Sequence, residues 1–395
     1  VLERSESDSS LLDRAFLAEH TEGFEAAMAV VRATPWDDVL EQSGLTRAQL
    51  ELAADVYIKA KGVIACWAMG ITQTKHAVAT IRQLVNLMLL RGNVGRPGAG
   101  LCPVRGHSNV QGDRTMGIYE KPAPAFLDGL DRVFGLEGFT APRKHGYDVV
   151  EAIAAMHEGR AKVFIAMGGN FAAATPDSDF TEEALRRCAV TAHVTTKLNR
   201  SHLITGAQAF ILPCLGRSEK DIRGGKPQSV TVEDSMSMVH ASIGRATPAS
   251  PHLMSEPAIV CALARATLPD SKLPWEAWAD DYSLLRDRIA EMMPAFKDFN
   301  ERIKTPGGFY LGNTAAERKW AVAGGKARFY TDPMPMLSVP EGALRLMTLR
   351  SHDQYNTTIY GLDDRYRGVY NARRVIFMHP LDIAERGLKP DARVD

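Results

Sequence analysis

A chain of 395 residues, 45% of them hydrophobic and 24% charged, has the make-up of a folded protein of two or three domains, which excludes a disordered or collagen-like polymer. Its 47 basic residues balance 47 acidic ones and its pI is near 7.3. No whole-molecule field therefore draws it to nucleic acid or anionic lipid, and any anionic ligand must be held by local geometry.

From the start, VLERSESDSS is too polar to read as a signal peptide. Residues 11–59 are expected to be helical in two runs separated by Thr34-Pro35, with Thr46 as the N-cap of the second. GVIACWAM then reads as a continuous apolar strand closed by Gly70, ahead of the helical pattern HAVATIRQLVNLMLL. Its longest apolar stretch, Val63 to Ile71, is well short of the roughly 20 residues of a membrane span.

Residues 91–117 hold seven glycines in 27 positions, a density expected to prevent packing as helix or strand. A second strand, glycine turn and helix unit follows at AKVFIAMGGN, TPDSD and FTEEALRRC. Two such units favour a doubly wound α/β architecture with ligands at the carboxyl ends of the strands. AVTAHVTT and AFILP read as further strands, and SVTVEDSMSMVHAS as a polar, acidic stretch. Residues 257–303 return to helix, with Trp275 and Trp278 on an amphipathic run. Past a linker with Gly307, Gly308, Gly324 and Gly325, LRLMTLRSHDQYNTTIYG suggests a β-rich region. The final HPLDIAERGLKPDARVD reads as a short helix closed by Gly387 and Pro390 and a strand cut as it begins, so a fragment of a longer protein is expected.

Cys66, Cys102, Cys188, Cys214 and Cys261 lie far apart with no CxxC pair, which argues against a zinc ribbon, a redox dithiol or a self-contained iron-sulfur site and favours reduced, mostly buried thiols. Gly92, Gly95, Gly98 and Gly100 follow a helix rather than a strand, so they do not form a standard dinucleotide fingerprint, and neither a GxxxxGK[ST] loop nor a GxSxG elbow is present. Between Arg105 and Gln111 a guanidinium, an imidazole and two carboxamides crowd into seven residues. That density suits a carboxylate or phosphate, because arginine presents a planar fork to two oxygens; internal pairing of the same groups is an equal alternative. The turns Met69-Gly70-Ile71-Thr72-Gln73 and Gly168-Gly169-Asn170 stand where strand ends would meet a nucleotide, and helix N-termini there would offer free N–H groups to phosphate, with a purely folding role as the alternative; Thr195 to His202 adds hydroxyls and bases that suit either phosphate or a solvated face.

Taken together and in this order, WAMGITQ, LMLLRGNVGRPGAG, PVRGHSNVQGDRTMG, MGGNFAAATPD, TTKLNRSH and TLRSHDQYN resemble the molybdopterin oxidoreductase superfamily, in particular its formate dehydrogenase-like catalytic subunits. The resemblance implies two related doubly wound, Rossmann-like domains of the formate dehydrogenase and DMSO reductase fold, followed by the start of a C-terminal β-barrel. The boundaries it implies are 1–105 and 106–303 for the two dinucleotide-binding domains, 304–340 for a linker and 341–395 for the barrel. It also implies molybdenum, or tungsten, bound by two molybdopterin guanine dinucleotides. A [4Fe-4S] cluster and the metal-ligating residue are expected in an N-terminal part outside these residues, so no metal ligand is assigned here.

Residue by residue, Arg105 matches the arginine thought to orient the substrate carboxylate. Met69, Gly70, Gln73, His107, Gly168, Asn170 and Thr196 match cofactor contacts; His107 stands where formate dehydrogenases usually show Gln, and Asn170 where they commonly show Asp. Arg350, His352, Gln354 and Asn356 match the entry of the barrel. The implied partners are formate or a similar small substrate and an electron-acceptor protein, without nucleic acid. The implied compartment is the cytoplasm, with the periplasm open because a twin-arginine signal would lie upstream. Two rival expectations are a metal-free descendant serving as a scaffold and an unrelated nucleotide-binding module that senses.

Overall fold

A computed structural model describes residues 1–355 and 359–394. It is a mixed α/β chain with small sheets, dividing into one unit of Val1–Asp148 with Leu215–Glu341 and another of Val149–Cys214 with Gly342–Asp395.

In the first unit the early helical region breaks at more places than the Thr34-Pro35 junction, giving helices Arg14–His20, Phe24–Ala33, Trp36–Ser43 and Arg47–Lys59. Two of the breaks use glycines in the left-handed region, Gly23 at φ 79° and Gly44 at φ 68°, a conformation that costs other residues energy. Thr46 caps the last helix through a reciprocal box: Gln49 N–H donates to Thr46 Oγ1 and Thr46 N–H to Gln49 Oε1. Leu12, Phe16, Met28, Met88, Leu89 and Phe329 form the buried core of this part.

Strand Ile64–Trp67, helix Ala77–Leu90 and strand Gly100–Pro103 form a parallel crossover, with Ile64 opposite Gly100 and Trp67 opposite Pro103. The glycine-dense segment therefore does fold regularly, contrary to expectation: it supplies this second strand and the short helix Val110–Thr115. Tertiary pairing with Ile64–Trp67 overrides the local preference. The turn between them is fastened by the fully buried Asn93, which donates to Tyr57 Oη and accepts from Arg96.

The polar stretch SVTVEDSMSMVHAS, to which the sequence alone assigns no element, forms the antiparallel hairpin Val230–Glu233 and Met238–Ser242, with Phe309–Tyr310 as a third strand. Asp234 closes the turn by accepting from Met236 and Met238 N–H, a side chain substituting for ladder partners. Phe296, Phe299 and Phe309 pack beneath it with Val239. The expected helical region contains Glu256–Thr267, Trp275–Asp280 and Tyr282–Met292, and Trp278 is buried edge-on to Trp275.

The second unit holds a parallel sheet in the order Val163–Met167, Val190–Thr195, Gln208–Pro213. Helices Val149–His157 and Ser178–Arg186 enclose Ile153, Met156, Ala184, Leu185 and Cys188. The apolar strands are only partly covered: Ile64, Val163 and Ile165 are each more than half exposed, although parallel sheets are ordinarily covered on both faces. Among the described residues of 342–394, the regular elements are the ladder of Gln354–Tyr355 with Ile359–Tyr360 and helix Pro380–Glu385. Gly387, at φ 63°, ends that helix as expected.

Candidate functional site at two strand ends

In the first unit, both parallel strands deliver sequence-predicted residues at their carboxyl ends. Ile64–Trp67 leads into the short helix Met69–Thr72, and Gly100–Pro103 leads into the loop carrying Arg105. Val104 N–H donates to Trp67 O at 2.8 Å, holding the two exits together. Met69 lies over the loop, so that a Cβ on Gly106 would come within 3.2 Å of its methyl carbon. Gln73 Nε2 reaches the Met69 sulfur at 3.9 Å. Met69, Gln73 and the Arg105 loop are thus one cluster, and His107 is exposed two residues further on.

The Arg105 side chain is exposed and pairs with an amide rather than a carboxylate: Nε and Nη2 donate to Gln111 Oε1 at 3.2 and 2.7 Å. One edge of the guanidinium is therefore fixed while Nη1 remains for an outside acceptor. Arg105 N–H donates to Ser235 Oγ at 3.0 Å, and Ser108 Oγ accepts from Arg217 at 3.4 Å. Asn109 takes a left-handed φ of 67°, uncommon outside glycine. Its side chain repays this by accepting from Glu233 N–H at 3.0 Å.

Sequence reasoning passed over Glu233 and Ser235, which meet Asn109 and Arg105 from 124 and 130 positions away in the polar hairpin. The signal available was the acidic pair Glu233-Asp234 in that stretch. Glu233 is buried, and its Oε2 lacks a hydrogen-bond partner. Burial pushes its carboxyl up, with the neighbouring Asp234 charge adding to the rise and the Thr115 and Gln111 side chains opposing it. For Asp234 the balance is reversed: burial pushes it up, but hydrogen bonds from His240 and from Met238 and Met236 N–H outweigh that and hold it below the usual range.

In the second unit, strand Val163–Met167 ends in Gly168 and Gly169, at φ 69° and 76°, with nothing within 4 Å of where a Cβ would stand on either. The backbone there is open to close approach. Asn170 is buried and accepts from Ser201 Oγ, which accepts in turn from Ala172 N–H. Asn199 donates to Gly169 O at 2.7 Å. Much of TTKLNRSH thus serves the fold, whereas Thr196 is exposed beside the strand end. His193 and His202 are buried with ring centroids 5.0 Å apart, and the Nε2 atom of each lacks a hydrogen-bond partner.

Also in this unit, His352 Nδ1 meets Asp364 at 3.1 Å, and Arg367 bonds Asp364, His352 and the Arg350 carbonyl. A cavity of about 710 Å³ is lined by Arg350, Gln354, Asp364 and Arg367. Asn356 lies outside the described residues. No group of three or more His, Cys, Asp or Glu side chains gathers to hold a metal among the described residues, and no helix among them is long and apolar enough to cross a membrane.

No family model matches the chain. It is 53% identical over 388 residues to an uncharacterized oxidoreductase of Mycobacterium tuberculosis, covering 98% of this chain and 49% of that protein. It is 48% identical over 387 residues to protein YdeP of Escherichia coli, covering 96% of this chain and 50% of the relative. Formate dehydrogenase H of Escherichia coli is 33% identical over 169 residues, covering 41% of this chain and 23% of that enzyme. The chain spans about half the length of the first two relatives.

Proposed function

We propose that this chain is part of the catalytic subunit of a molybdopterin-dependent oxidoreductase of the formate dehydrogenase-like kind, acting on formate or another small anionic substrate. The observation that carries the reading is Arg105: a guanidinium at the carboxyl end of a parallel strand pair, fixed along one edge by Gln111 and exposed at the other. The local likeness to formate dehydrogenase H and the oxidoreductase name of the Mycobacterium tuberculosis relative support it.

The residues present fit a dinucleotide cofactor. Gly70, Gly168 and Gly169 have open space where a side chain would be, which allows phosphate oxygens to approach backbone N–H groups. In the first unit Met69, Gly70, Gln73 and His107 would hold one such cofactor; in the second, Gly168, Asn170 and Thr196, with Arg350, His352 and Gln354, would hold another. When bound, the molybdenum pterin would supply the two-electron redox chemistry, with a [4Fe-4S] cluster and an electron-acceptor protein expected outside these residues. Arg105 binds and orients the substrate carboxylate, Gln111 fixes the guanidinium plane, and His107 offers a further polar contact.

The test is molybdenum and tungsten analysis of the full-length protein, together with formate-dependent reduction of an artificial dye. Arg105→Lys is expected to lower turnover greatly at unchanged metal content. Equal turnover in the variant would remove Arg105 from the mechanism, and absence of both metals would favour a metal-free scaffold.

A further inference from the structure

Five cysteines without a CxxC spacing read in the sequence as separate thiols, yet the fold brings two of them together. Cys66 and Cys102 are direct partners in the parallel ladder of Ile64–Trp67 with Gly100–Pro103. Partners at one register project to the same face of a sheet, and adjacent strands lie about 4.8 Å apart, inside the roughly 4.4–6.8 Å range of Cα separations that a disulfide spans. The two side chains also feel each other: the Cys102 thiol is pushed up by burial, and then by contact with the Cys66 thiol and the nearby Asp234 charge.

Access separates this pair from the remaining cysteines. Cys66 is exposed and Cys102 partly so, whereas Cys188, Cys214 and Cys261 are buried. On the same face the register places Ile64 opposite Gly100, and nothing stands within 4 Å of where a Cβ on Gly100 would be. A small oxidant can therefore approach. The Met236 sulfur lies 3.6 Å from Cys102 Sγ, so a third oxidisable atom borders the pair.

We propose that Cys66 and Cys102 form a reversible oxidative modification site, in which hydrogen peroxide or a small organic peroxide converts the two thiols into a cross-strand disulfide. Cys66, the more exposed, attacks the peroxide as its thiolate; the O–O bond breaks, giving a sulfenic acid and one water or alcohol. Cys102 then attacks the Cys66 sulfur as its own thiolate, the S–S bond forms, and the hydroxyl leaves as a second water. Two electrons pass from the two sulfurs to the peroxide, and both thiol protons end in the water or alcohol released. The burial that raises Cys102 makes it a slow first nucleophile and leaves it the resolving role. The linked strands carry Met69 and Arg105 just beyond their ends, so the bond would pin the exits from which those residues project.

The experiment treats the reduced chain with stoichiometric hydrogen peroxide, blocks remaining thiols with iodoacetamide in denaturant and maps the peptides. The expected result is the loss of two alkylatable thiols per chain, one linked Cys66–Cys102 peptide, and full recovery with dithiothreitol. Cys102→Ser is expected to leave a Cys66 sulfenic acid that dimedone traps, an adduct scarce in the parent chain. Met236→Leu is expected to form the disulfide in the same yield. Stable oxidation of Cys66 alone in the parent chain, linkage between two chains, or loss of the linked peptide in Met236→Leu would each overturn the proposal.

Discussion

Gln111 Oε1 receives both Nε and Nη2 of Arg105, at 3.2 and 2.7 Å, so a neutral amide holds the only cation of the Val104–Gln111 loop. An ion pair with a carboxylate would have cancelled the charge that an anionic substrate needs; an amide orients the guanidinium and leaves its charge intact. Gln111→Leu is expected to free the side chain, and kcat/KM of the full-length protein for its anionic substrate should fall by roughly tenfold, the equivalent of about 1.4 kcal/mol. Its thermal midpoint should fall as well, because the Gln111 side chain also hydrogen-bonds the buried Glu233 carboxyl, so kcat/KM is to be read well below that midpoint. Unchanged kcat/KM would show that the amide does not position Arg105.

Glu233 carries a pH signature. Burial raises its folded-state pKa above the unfolded value, so the native state holds its proton more tightly. The resulting stability is complete at pH values below the unfolded pKa, about 4.3, and is lost as pH rises through the folded value. Glu233→Gln removes the buried charge, so it should raise the thermal midpoint at pH 8 and give no gain at pH 4. A gain of equal size at both pH values would assign the effect to packing instead.

His193 acts in the opposite sense. Burial, and secondarily the neighbouring His202, lowers its pKa from about 6.5, so the unfolded state takes up the proton first. The stability this protects is present above the unfolded value and is lost as pH falls through it toward the folded one. Thermal midpoints measured from pH 8 down to pH 5 should therefore decline, and His193→Leu should flatten that decline. An unchanged slope in the variant would place the acid sensitivity elsewhere.

Legibility in the sequence followed the range of the interactions involved. The Thr46 cap and its Gln49 partner are three residues apart, and the pattern alone anticipates them. The strands Val163–Met167 and Val190–Thr195 were visible as apolar runs. Strand Gly100–Pro103 was hidden because glycine density spoke against it while its evidence lay in a partner strand 36 residues earlier. The hairpin Val230–Glu233 with Met238–Ser242 was hidden by its polar turn, although Val230, Val232 and Met238 mark its strands in hindsight. At the site, Arg105 and Gln111 were legible as one dense loop. Ser235 and Glu233 were not, since no local pattern shows that a turn 130 residues away closes over that loop.

Phe299 anchors the aromatic core under the hairpin, 4.8 Å from the Phe296 ring and 5.6 Å from that of Phe309. It is 1% exposed, so truncation leaves a cavity with little freedom to collapse. Phe299→Ala is expected to cost about 3–5 kcal/mol, read as a lower midpoint in urea at unchanged slope. A loss under about 1 kcal/mol would mean that the three rings repack around the gap.

Gly307 and Gly308 offer a paired test of how the short strand Phe309–Tyr310 is held to the sheet. Both occupy the left-handed region, at φ 85° and 79°, so an alanine at either carries the same conformational penalty of about 1–2 kcal/mol. Their surroundings differ. Nothing lies within 4 Å of where a Cβ on Gly307 would be, whereas one on Gly308 would run into the Val239 carbonyl oxygen. That oxygen belongs to the strand on which Phe309 registers, Val239 facing Phe309, so relieving the clash means moving the edge strand and withdrawing the Phe309 ring from Phe296 and Phe299. Gly307→Ala should therefore lose only the conformational term, and Gly308→Ala clearly more, with increased tryptic cleavage at Arg302 and Lys304 as the strand loosens. Equal urea midpoints for the two variants would show that the strand shifts at no cost and that its ring is not fixed by this approach of backbone to backbone.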